Sequence, residues 1–462
     1  MIAWDKLVPM RWPSETGYKP VTVEGLQGGP VNCLVTNWPA GPDVSLAPFI
    51  ERCRQMNISV VGWVDEKADT QAAIASAKAA GLTAVAIKEF AGSSEFPVIP
   101  WAERSRIPWK CSSPVIMVTG NVWPGVKRSQ GGGAQANPTG LPWLDSNGWF
   151  LRLARDRAPG KQFWLLFDPP GKDSVVRYEG YEVAVMDAAA HGGRWVVSLD
   201  HRYVENLLAD EPKASKASDK LFAVMAFAEK HASWNQLQPM GVVGILSDFT
   251  GPNEDMAGEL LNLTGRRQLP YRTMEMSKAL GMPLAGFKAI LAMDEQPPKG
   301  ELRRKLLNFV SQGGLLLAGK NWGAEGKPRP EAFHPRFDVQ SLGKGRLAVA
   351  KEESLDPFEV AEDAHMLLSR ANDLIRFFNA GSISSNYLAA PGGKNALLHV
   401  INYAGRAGGN PATVWLRQMY RTAQLWSTDR DQPEQLKVTP EAYGVEVYLP
   451  PLPVYGGIEL SA

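Results

Sequence analysis

The sequence contains little cysteine and little histidine. Its 462 residues include three cysteines, Cys33, Cys53 and Cys111, and no two of them form a Cys-x-x-Cys motif. An odd count without that motif excludes a disulfide framework and a thiolate-rich zinc site. The six histidines show no His-Glu-x-x-His spacing or other metal-ligand pattern. We therefore expect neither a structural metal nor a cofactor.

Long apolar runs and an excess of one charge are also missing. No apolar run reaches the length of a membrane span, and the first residues lack the apolar core of a signal peptide. The 49 Lys and Arg residues nearly cancel the 48 Asp and Glu residues, which leaves no bulk attraction to nucleic acid or anionic lipid. We expect no nucleic-acid or membrane partner. Both a cytoplasmic location and export after removal of a signal peptide stay open.

Tryptophan, by contrast, is abundant. The chain has 15 Trp residues, most of them before residue 240. A Trp-rich cleft suits carbohydrate, because the aromatic face buries the apolar C–H face of a sugar ring while polar neighbours reach its hydroxyls. The same residues can equally fill a large core, and the sequence leaves both interpretations open for any single Trp.

The first half of the chain alternates short apolar runs with helical patterns, which is typical of parallel βα units. Strands are predicted at 7–12, 32–38, 59–64, 83–89, 96–101, 115–119, 162–168 and 194–200. Eight such strands predict a (β/α)8 barrel, with a doubly wound open sheet as the alternative. The links after the first and fifth strands do not look helical, so we expect an irregular barrel.

The pattern changes twice in the second half. A flavodoxin-like α/β rhythm begins near residue 240, with strands at 241–246, 287–293 and 315–318 and helices at 253–263 and 299–312. After a predicted helix at 359–378, alternating residues indicate a C-terminal antiparallel β-sandwich. These patterns predict three domains, a barrel at 1–236, an α/β domain at 237–383 and a β-sandwich at 384–462.

One segment carries a family resemblance. The stretch KAILAMDEQPPKGELRRKLLNFVSQGGLLLAG resembles the class I amidotransferase-like fold, as found in the trimerisation domain of barrel-type bacterial β-galactosidases. The stretches NALLHVINYAGR and VYLPPLPVYGGIEL resemble the β-module that closes those enzymes. The resemblance implies a glycoside hydrolase with a carbohydrate substrate, and a homotrimer. No cysteine follows Cys111, which excludes glutaminase chemistry in the α/β domain and makes that domain a scaffold.

Catalytic groups of a barrel lie at the carboxyl ends of its strands, and glycoside hydrolysis needs two carboxyl groups. If 7–12 is the first strand, Glu89 closes the fourth strand and Asp168 the seventh. The resembled enzymes hold their acid and nucleophile at those two strands, although they have Asn where this chain has Lys88, and Glu in place of Asp168. Asp200 is a further catalytic candidate, and its neighbour His201 is expected to orient it.

Binding groups are expected around the same end of the barrel. A long irregular segment at 120–151 is interpreted as a cleft-lining loop, since loops of that length are usually functional. The alternative is a purely structural role, in which residues 145–147 cap the helix predicted at 149–157. The candidate substrate-binding residues are Trp38, Trp63, Asp65, Glu66, Trp123, Trp143, Asp145, Asn147, Trp149 and His201.

Two functions remain in competition. The first is a glycoside hydrolase that uses two barrel carboxylates. The second is a non-catalytic carbohydrate-binding or assembly protein on a degenerate barrel, because the expected Asn-Glu pair is missing and fold alone does not confer function. A metal-dependent hydrolase is a third interpretation, and the lack of histidine ligand spacing argues against it.

Overall fold

The computed structural model describes residues 2–39, 46–128, 133–136, 141–167, 169, 176–329, 333–406 and 411–462. The chain divides into two compact units. We call the first the barrel unit, formed by Met1–Asn235, Ile401–Arg406 and Pro453–Tyr455. The second unit comprises Gln236–Val400, Ala407–Leu452 and Gly456–Ala462. The finer division into three domains stays a prediction.

Eight parallel strands form the sheet of the barrel unit, and their spatial order follows the chain. The strands of this unit, including a two-stranded hairpin, are β1 (Pro9–Arg11), β2 (Cys33–Trp38), β3 (Ser59–Val64), β4 (Ala84–Lys88), β5 (Val98–Glu103), β6 (Val115–Thr119), the hairpin strands β7 (Gly125–Val126) and β8 (Leu144–Asp145), β9 (Gln162–Leu165) and β10 (Arg194–Trp195). All eight predicted barrel strands are therefore confirmed, with ends that shift by a few residues.

The sheet closes on itself between its first and last strands. The backbone N–H of Arg11 donates to the carbonyl oxygen of Val197 at 2.7 Å, and Met10 forms a parallel bridge with Val197. This closure confirms the predicted barrel and makes the open-sheet alternative wrong. It also fixes Pro9–Arg11 as the first barrel strand, so the count of strands along the chain is settled.

Helices cover the outside of the barrel. They are α1 (Ala47–Gln55), α2 (Thr70–Ala79), α3 (Gly148–Arg157), α4 (Tyr178–Ala189), α5 (His201–Leu208) and α6 (Pro212–Lys230). The links after β1 and β5 contain short 3-10 helices, Pro20–Leu26 and Arg104–Arg106, in place of α-helices. The expected irregularity of the barrel is thus present at the two predicted places. Among the described residues, no helix combines the length and apolar character that a bilayer crossing requires.

Side chains alternate between the inside and the outside of the barrel along each strand. One buried cluster fills the inside and includes Cys33, Val35, Val61, Met117 and Trp164. Their strand neighbours, such as Leu34 and Val60, pack in a second cluster with the helices. Both faces of these strands are apolar, as expected for a parallel sheet that is covered on both sides.

The second unit contains a seven-stranded sheet that is parallel except at one edge. In spatial order its strands are β13 (Tyr271–Glu275), β12 (Val243–Ser247), β14 (Ala289–Ala292), β15 (Leu315–Ala318), β18 (Gly345–Ala350), β17 (Phe337–Leu342) and β16 (Lys327–Pro328). The accompanying helices are α7 (Asn253–Arg266), α8 (Gly300–Ser311) and α9 (Pro357–Leu368). The predicted flavodoxin-like fold is confirmed. The strands β13, β16, β17 and β18 of this sheet were not predicted from the sequence.

Two further sheets of the second unit form the predicted β-sandwich around a common apolar cluster. One has the order β11 (Gln238–Pro239), β20 (Ile383–Ala389), β21 (Asn395–Asn402), β27 (Tyr455–Ser461), β23 (Thr422–Ser427) and β24 (Glu434–Leu436). The other has the order β19 (Ile375–Phe378), β22 (Ala412–Leu416), β26 (Gly444–Leu449) and β25 (Val438–Glu441). The helix predicted at 359–378 was wrong in its last part. It ends at Leu368 because Ser369 adopts φ 71°, and β19 follows.

Gly62 in β3 allows Trp38 to pack flat against the outer face of the sheet. A Cβ atom at position 62 would lie 2.8 Å from Trp38 Cβ and 2.7 Å from Leu82 Cδ2. Because Trp38 Cβ is tied to the backbone of β2, we expect Gly62→Ala to lower the free energy of unfolding by about 1–3 kcal/mol. Urea unfolding measures this. In the control Gly25→Ala the new Cβ meets no atom within 4 Å, and equal stability of both variants would contradict the packing.

Candidate active site

The mouth of the barrel is the end at which the carboxyl termini of the eight strands meet. Trp63 and Trp101 pack against the interior cluster, so they point inward. Residues two positions apart on a strand share a face, which also directs Glu103 inward beyond Trp101. By the same alternation, Asn37 points inward like Val35, and Lys88 points inward like Ala86. These residues form the last inner layer before solvent.

A stacked pair of tryptophans lies in this layer. The rings of Trp63 and Trp101 are 4.4 Å apart between centroids, with an interplanar angle of 24°. The guanidinium of Arg11 lies over Trp63 and the ammonium of Lys88 over Trp101, each 5.6 Å from the ring centroid. Arg11 Nη2 also donates to Asn37 Oδ1 at 3.3 Å. The mouth therefore has a floor of two stacked indole rings with a cation over each ring, and an amide beside them.

The strand-end carboxylates of this region have basic neighbours. Glu66 accepts a hydrogen bond from Lys88 Nζ and forms an ion pair with it, and this bond raises the pKa of Lys88. Glu89 Oε1 lies 3.7 Å from Arg106 Nη1. Asp65 Oδ1 accepts from the backbone N–H of Lys67 at 2.9 Å, so it closes a local turn.

Glu89 has an unusual backbone. Its φ is 49°, in the left-handed region, while its N–H donates to the carbonyl oxygen of Trp101 at 2.8 Å. A non-glycine residue in such a region costs of order 1–3 kcal/mol, and outliers of this kind cluster at functional sites. The strand alternation alone would turn Glu89 away from the face of Lys88, so the left-handed conformation changes the direction of its side chain.

The settled strand count fixes the sequence positions of the two principal candidates. Glu89 directly follows β4, the fourth barrel strand. Asp168 follows the last residue of β9, the seventh barrel strand, by three positions. Asp168 itself lies outside the described residues. The comparison of Glu89 and Asp168 with the resembled enzymes required segment 7–12 to contribute the first barrel strand. It does, because β1 lies within that segment.

Asp200 serves as the N-cap of α5. Its Oδ1 accepts from the backbone N–H of Tyr203 at 3.1 Å, and its Oδ2 accepts from the hydroxyl of Tyr181 at 2.6 Å. Burial raises the pKa of Tyr181. His201 contacts two glutamates, with Nδ1 3.5 Å from Glu15 and Nε2 2.9 Å from Glu205, and its predicted effect on Asp200 stays a prediction. These contacts give Asp200 a capping role, and its catalytic role stays a prediction.

Two of the five tryptophans predicted to bind substrate, Trp38 and Trp123, have packing roles. Trp38 is buried on the outer face of β2, and its Nε1 donates to Ser76 Oγ at 3.0 Å. Trp123 packs edge-on against Phe167, Tyr181 and Trp195. Their assignment to substrate therefore receives no support from these contacts.

The predicted cleft-lining loop contains a short hairpin. β7 and β8 pair so that Gly125 is opposite Asp145, and the backbone N–H of half-buried Trp143 donates to Gln135 O at 2.7 Å. Trp149 lies at the start of α3, under the guanidinium of Arg104 at 5.2 Å. Asp145 is half-buried as well. A binding role for Trp143, Asp145 and Trp149 stays a prediction.

A buried polar network lies next to the mouth. Asp187 is fully buried in α4, and its Oδ1 accepts from Ser146 Oγ at 2.7 Å and from the Tyr403 hydroxyl at 2.6 Å. Its Oδ2 accepts from the backbone N–H of Asn147 at 2.9 Å. Asn147, a predicted binding residue, is completely buried here and also accepts a bond from Arg104. Burial lowers the pKa of Arg104 to about 10, and the charge of Asp187 opposes this effect.

This network could not be predicted from the sequence, and the reason is physical. Asp187 lies inside an apolar helix, and its partners are 40, 41 and 216 positions away along the chain. The only local signal was the predicted cap at 145–147. Asn147 occupies the N-cap position of α3 without a side-chain capping bond, and Ser146 Oγ accepts from the backbone N–H of Gly148 at 3.0 Å.

The described residues contain no group of three or more His, Cys, Asp or Glu side chains that could hold a metal ion.

No protein-family model matches the chain. A search of curated proteins gives no match either.

Solved structures, however, match over nearly the whole chain. An α-L-fucosidase isoenzyme 2 from Paenibacillus thiaminolyticus superimposes with a TM-score of 0.59 at 9% identity, covering 98% of this chain and 98% of that one. A β-galactosidase from Bacillus circulans sp. alkalophilus gives a TM-score of 0.56 at 10% identity, with 98% and 99% coverage. The chain shares its overall fold with these two proteins. A β-galactosidase from Rahnella sp. R3 gives 0.54 at 10% identity, with 96% and 98% coverage. At these identities the likeness shows the fold alone.

His191 lies next to this network, and its titration tests whether its ring is buried. The ring is fully buried, Nδ1 lies 2.8 Å from the carbonyl oxygen of Asp187, and burial lowers the pKa of His191 to about 4. Below pH 6.5 the imidazole of His191 therefore binds a proton in the unfolded chain, whereas in the folded chain it stays neutral until the pH approaches 4. We expect the free energy of unfolding to be highest above about pH 6.5 and to fall by roughly 3 kcal/mol from this residue as the pH drops to about 4.

Urea unfolding at pH 7, 6, 5 and 4 measures this contribution. The variant His191→Gln removes the titrating group and should lose that part of the pH dependence. His201→Gln removes a half-exposed histidine instead and should keep it. Identical pH profiles for wild type and His191→Gln would show that His191 does not titrate in this way.

Proposed function

We propose that the chain hydrolyses a glycosidic bond at the barrel mouth, with Glu89 and Asp168 as the two carboxyl groups. The observation that carries this proposal is the closure of the barrel at Arg11, because it makes Glu89 the residue after the fourth strand and Asp168 a residue after the seventh. The β-galactosidases that the sequence resembles use these two strand ends for their acid and their nucleophile.

The roles follow from the chemistry of glycoside hydrolysis. Glu89 donates a proton to the leaving oxygen, and the Asp168 carboxylate assists attack on the sugar carbon from the other face. General acid catalysis of this kind contributes typically 10²–10⁴-fold to the rate. The left-handed backbone of Glu89 supports the assignment, because the chain maintains a strained conformation at this strand end.

The floor of the mouth supports a carbohydrate as the substrate. Trp63 and Trp101 are half-buried, and the parts that the stack and the two cations leave exposed provide apolar area for the C–H face of a sugar ring. Arg11 and Asn37 provide hydrogen-bond donors at the rim of that floor, where ring hydroxyls would lie. The solved structures with this fold include an α-L-fucosidase and β-galactosidases, so fucosides and galactosides are the first substrates to test.

The decisive experiment measures hydrolysis of a panel of nitrophenyl glycosides that includes β-D-galactoside and α-L-fucoside. We expect Glu89→Gln and Asp168→Asn each to lower kcat by roughly 10²–10⁴-fold on the substrate that wild type hydrolyses, because each removes one carboxyl group. Glu301→Gln makes the same chemical change on an exposed position of α8 and should leave kcat unchanged. Full activity in both mouth variants would refute the proposed pair.

A second candidate function is a non-catalytic carbohydrate-binding protein. Two observations favour it, namely that Lys88 replaces the Asn of the resembled enzymes and that Glu66 and Glu89 both lie in ion pairs. Under this candidate no glycoside of the panel is hydrolysed, while binding to a glycan array is retained and is unaffected by Glu89→Gln and Asp168→Asn. Loss of the array binding in these two variants would argue against it.

Both candidates predict a role for the tryptophan floor in binding. We expect Trp101→Leu, which keeps apolar volume but removes the aromatic face, to weaken binding of the mouth ligand by up to roughly tenfold, since aromatic stacking contributes about 0.5–1.5 kcal/mol. KM for a hydrolysed glycoside, or Kd from calorimetry, reports this. The control Trp109→Leu changes a half-buried ring of the outer layer that packs on Phe163, and an equal effect of both variants would contradict a binding floor.

The homotrimer implied by the family resemblance also stays a prediction. Light scattering coupled to size-exclusion chromatography measures the oligomeric state directly.

A further inference from the structure

The four-stranded sheet of the β-sandwich has an outer face that is unusually aromatic. Residues that face the core alternate with residues that face away from it, and the latter include Arg376, Phe378, Trp415, Glu446 and Tyr448. Phe378 pairs with Thr413, and Thr413 pairs with Tyr448, so two exposed rings flank one threonine across three strands. An outer sheet face is normally polar, so these rings require an explanation.

A pocket of about 520 Å³ lies on this face. It is lined by Trp415 and Tyr443, by the basic residues Arg376 and Arg417, and by the acidic residues Glu441 and Glu446. Tyr443, in the turn between β25 and β26, is 86% exposed although it is a large aromatic side chain. The pocket therefore joins aromatic surface to an equal number of cationic and anionic groups.

The cationic wall is held rigidly. The guanidinium carbons of Arg376 and Arg417 lie 4.7 and 5.7 Å from the centroid of the Trp415 ring. Arg376 Nε donates to Asp373 Oδ2 at 2.8 Å, and Arg417 Nε donates to the carbonyl oxygen of Asp373 at 2.7 Å. The Trp415 ring rests on Gly444, where a Cβ atom would lie 2.8 Å from the indole. Because these groups are fixed before any ligand arrives, binding costs little ordering entropy.

We propose that this pocket, which we call the sandwich pocket, binds a neutral oligosaccharide chain at a site separate from the barrel mouth. The choice of a saccharide rests on the proposed function. Aromatic faces accept the apolar side of sugar rings. Arginine only donates hydrogen bonds and ionised glutamate only accepts them, whereas a sugar hydroxyl does both, so hydroxyl groups complement both walls of the sandwich pocket.

The charge balance of the lining decides between ligand classes. Two arginines against two glutamates give no net attraction to an acidic polysaccharide. A protein partner fits less well, because the cores of protein interfaces are depleted of charged residues, whereas four of the eight lining side chains carry charge. A second copy of the chain is therefore an alternative outcome of the test and not the proposal.

The test measures binding directly, without turnover, by affinity electrophoresis of the full chain carrying Glu89→Gln. The probes are three neutral polysaccharides, galactan, xylan and barley β-glucan, and one acidic polysaccharide, polygalacturonate. We expect at least one neutral probe to retard the protein, and we expect its dissociation constant to change little between low and high salt, since no net charge is involved.

Two variants of the sandwich pocket locate the binding. Trp415→Ala and Tyr443→Ala should each weaken binding to the neutral probe by roughly tenfold, as expected for an aromatic anchor. Tyr443 is exposed enough that its loss leaves the fold intact, which keeps the test valid if Trp415→Ala destabilises the sheet. Phe333→Ala removes a ring that is 81% exposed in the same unit but outside the sandwich pocket, and it should bind like the parent.

Four outcomes overturn the proposal. They are absence of retardation by all three neutral probes, binding to polygalacturonate alone, unchanged binding in both pocket variants, and a change of oligomeric state in Tyr443→Ala by light scattering. A failure of the proposed function would be seen differently, as nitrophenyl glycoside hydrolysis that does not depend on Glu89 and Asp168.

Discussion

The hydrogen bond from the backbone N–H of Arg11 to Val197 O, which joins the first and last barrel strands, is the constraint on which the rest of the site depends. It turns a row of parallel strands into a ring, so that the carboxyl ends of all eight strands share one mouth. Around β1, Leu7 lies in the interior cluster and Met10 in the outer one. The numbering of strands, and with it the positions of Glu89 and Asp168, follows from this closure.

The second physical requirement is that buried charge must be compensated. Asp187 is fully buried beside the mouth and Arg104 is partly buried there, and an uncompensated charge in such a place would be costly. Their compensation comes from Asn147, Ser146 and Tyr403, which satisfy the oxygens and the guanidinium with hydrogen bonds. The long segment between β6 and α3 is thereby attached to the barrel at its end. This explains why Asn147, expected to reach substrate, is completely buried in the protein.

Trp38 and Trp63 show where the sequence analysis reached its limit. Both are tryptophans near the ends of neighbouring strands, and both were expected to bind substrate. In the register of the sheet, Asn37 is the partner of Trp63 and Trp38 is the partner of Val64, so the two rings lie on opposite faces. Strands of a parallel barrel are apolar on both faces, and alternation alone cannot tell which face is the inside. Closure of the sheet supplies that information.

From the sequence alone one could predict the succession of eight barrel strands, the α/β module without a cysteine after Cys111, and the closing β-sandwich. These features depend on local periodicity and residue type, which are readable without contacts. The folded structure was needed to show that Trp101, Arg11 and Asn37 join Trp63 at the mouth. It was also needed to show that Asp200 caps a helix and that Trp415 and Tyr443 line one pocket. Those groupings join residues distant in sequence, and side-chain direction, strand register and burial fix them only once the chain has folded.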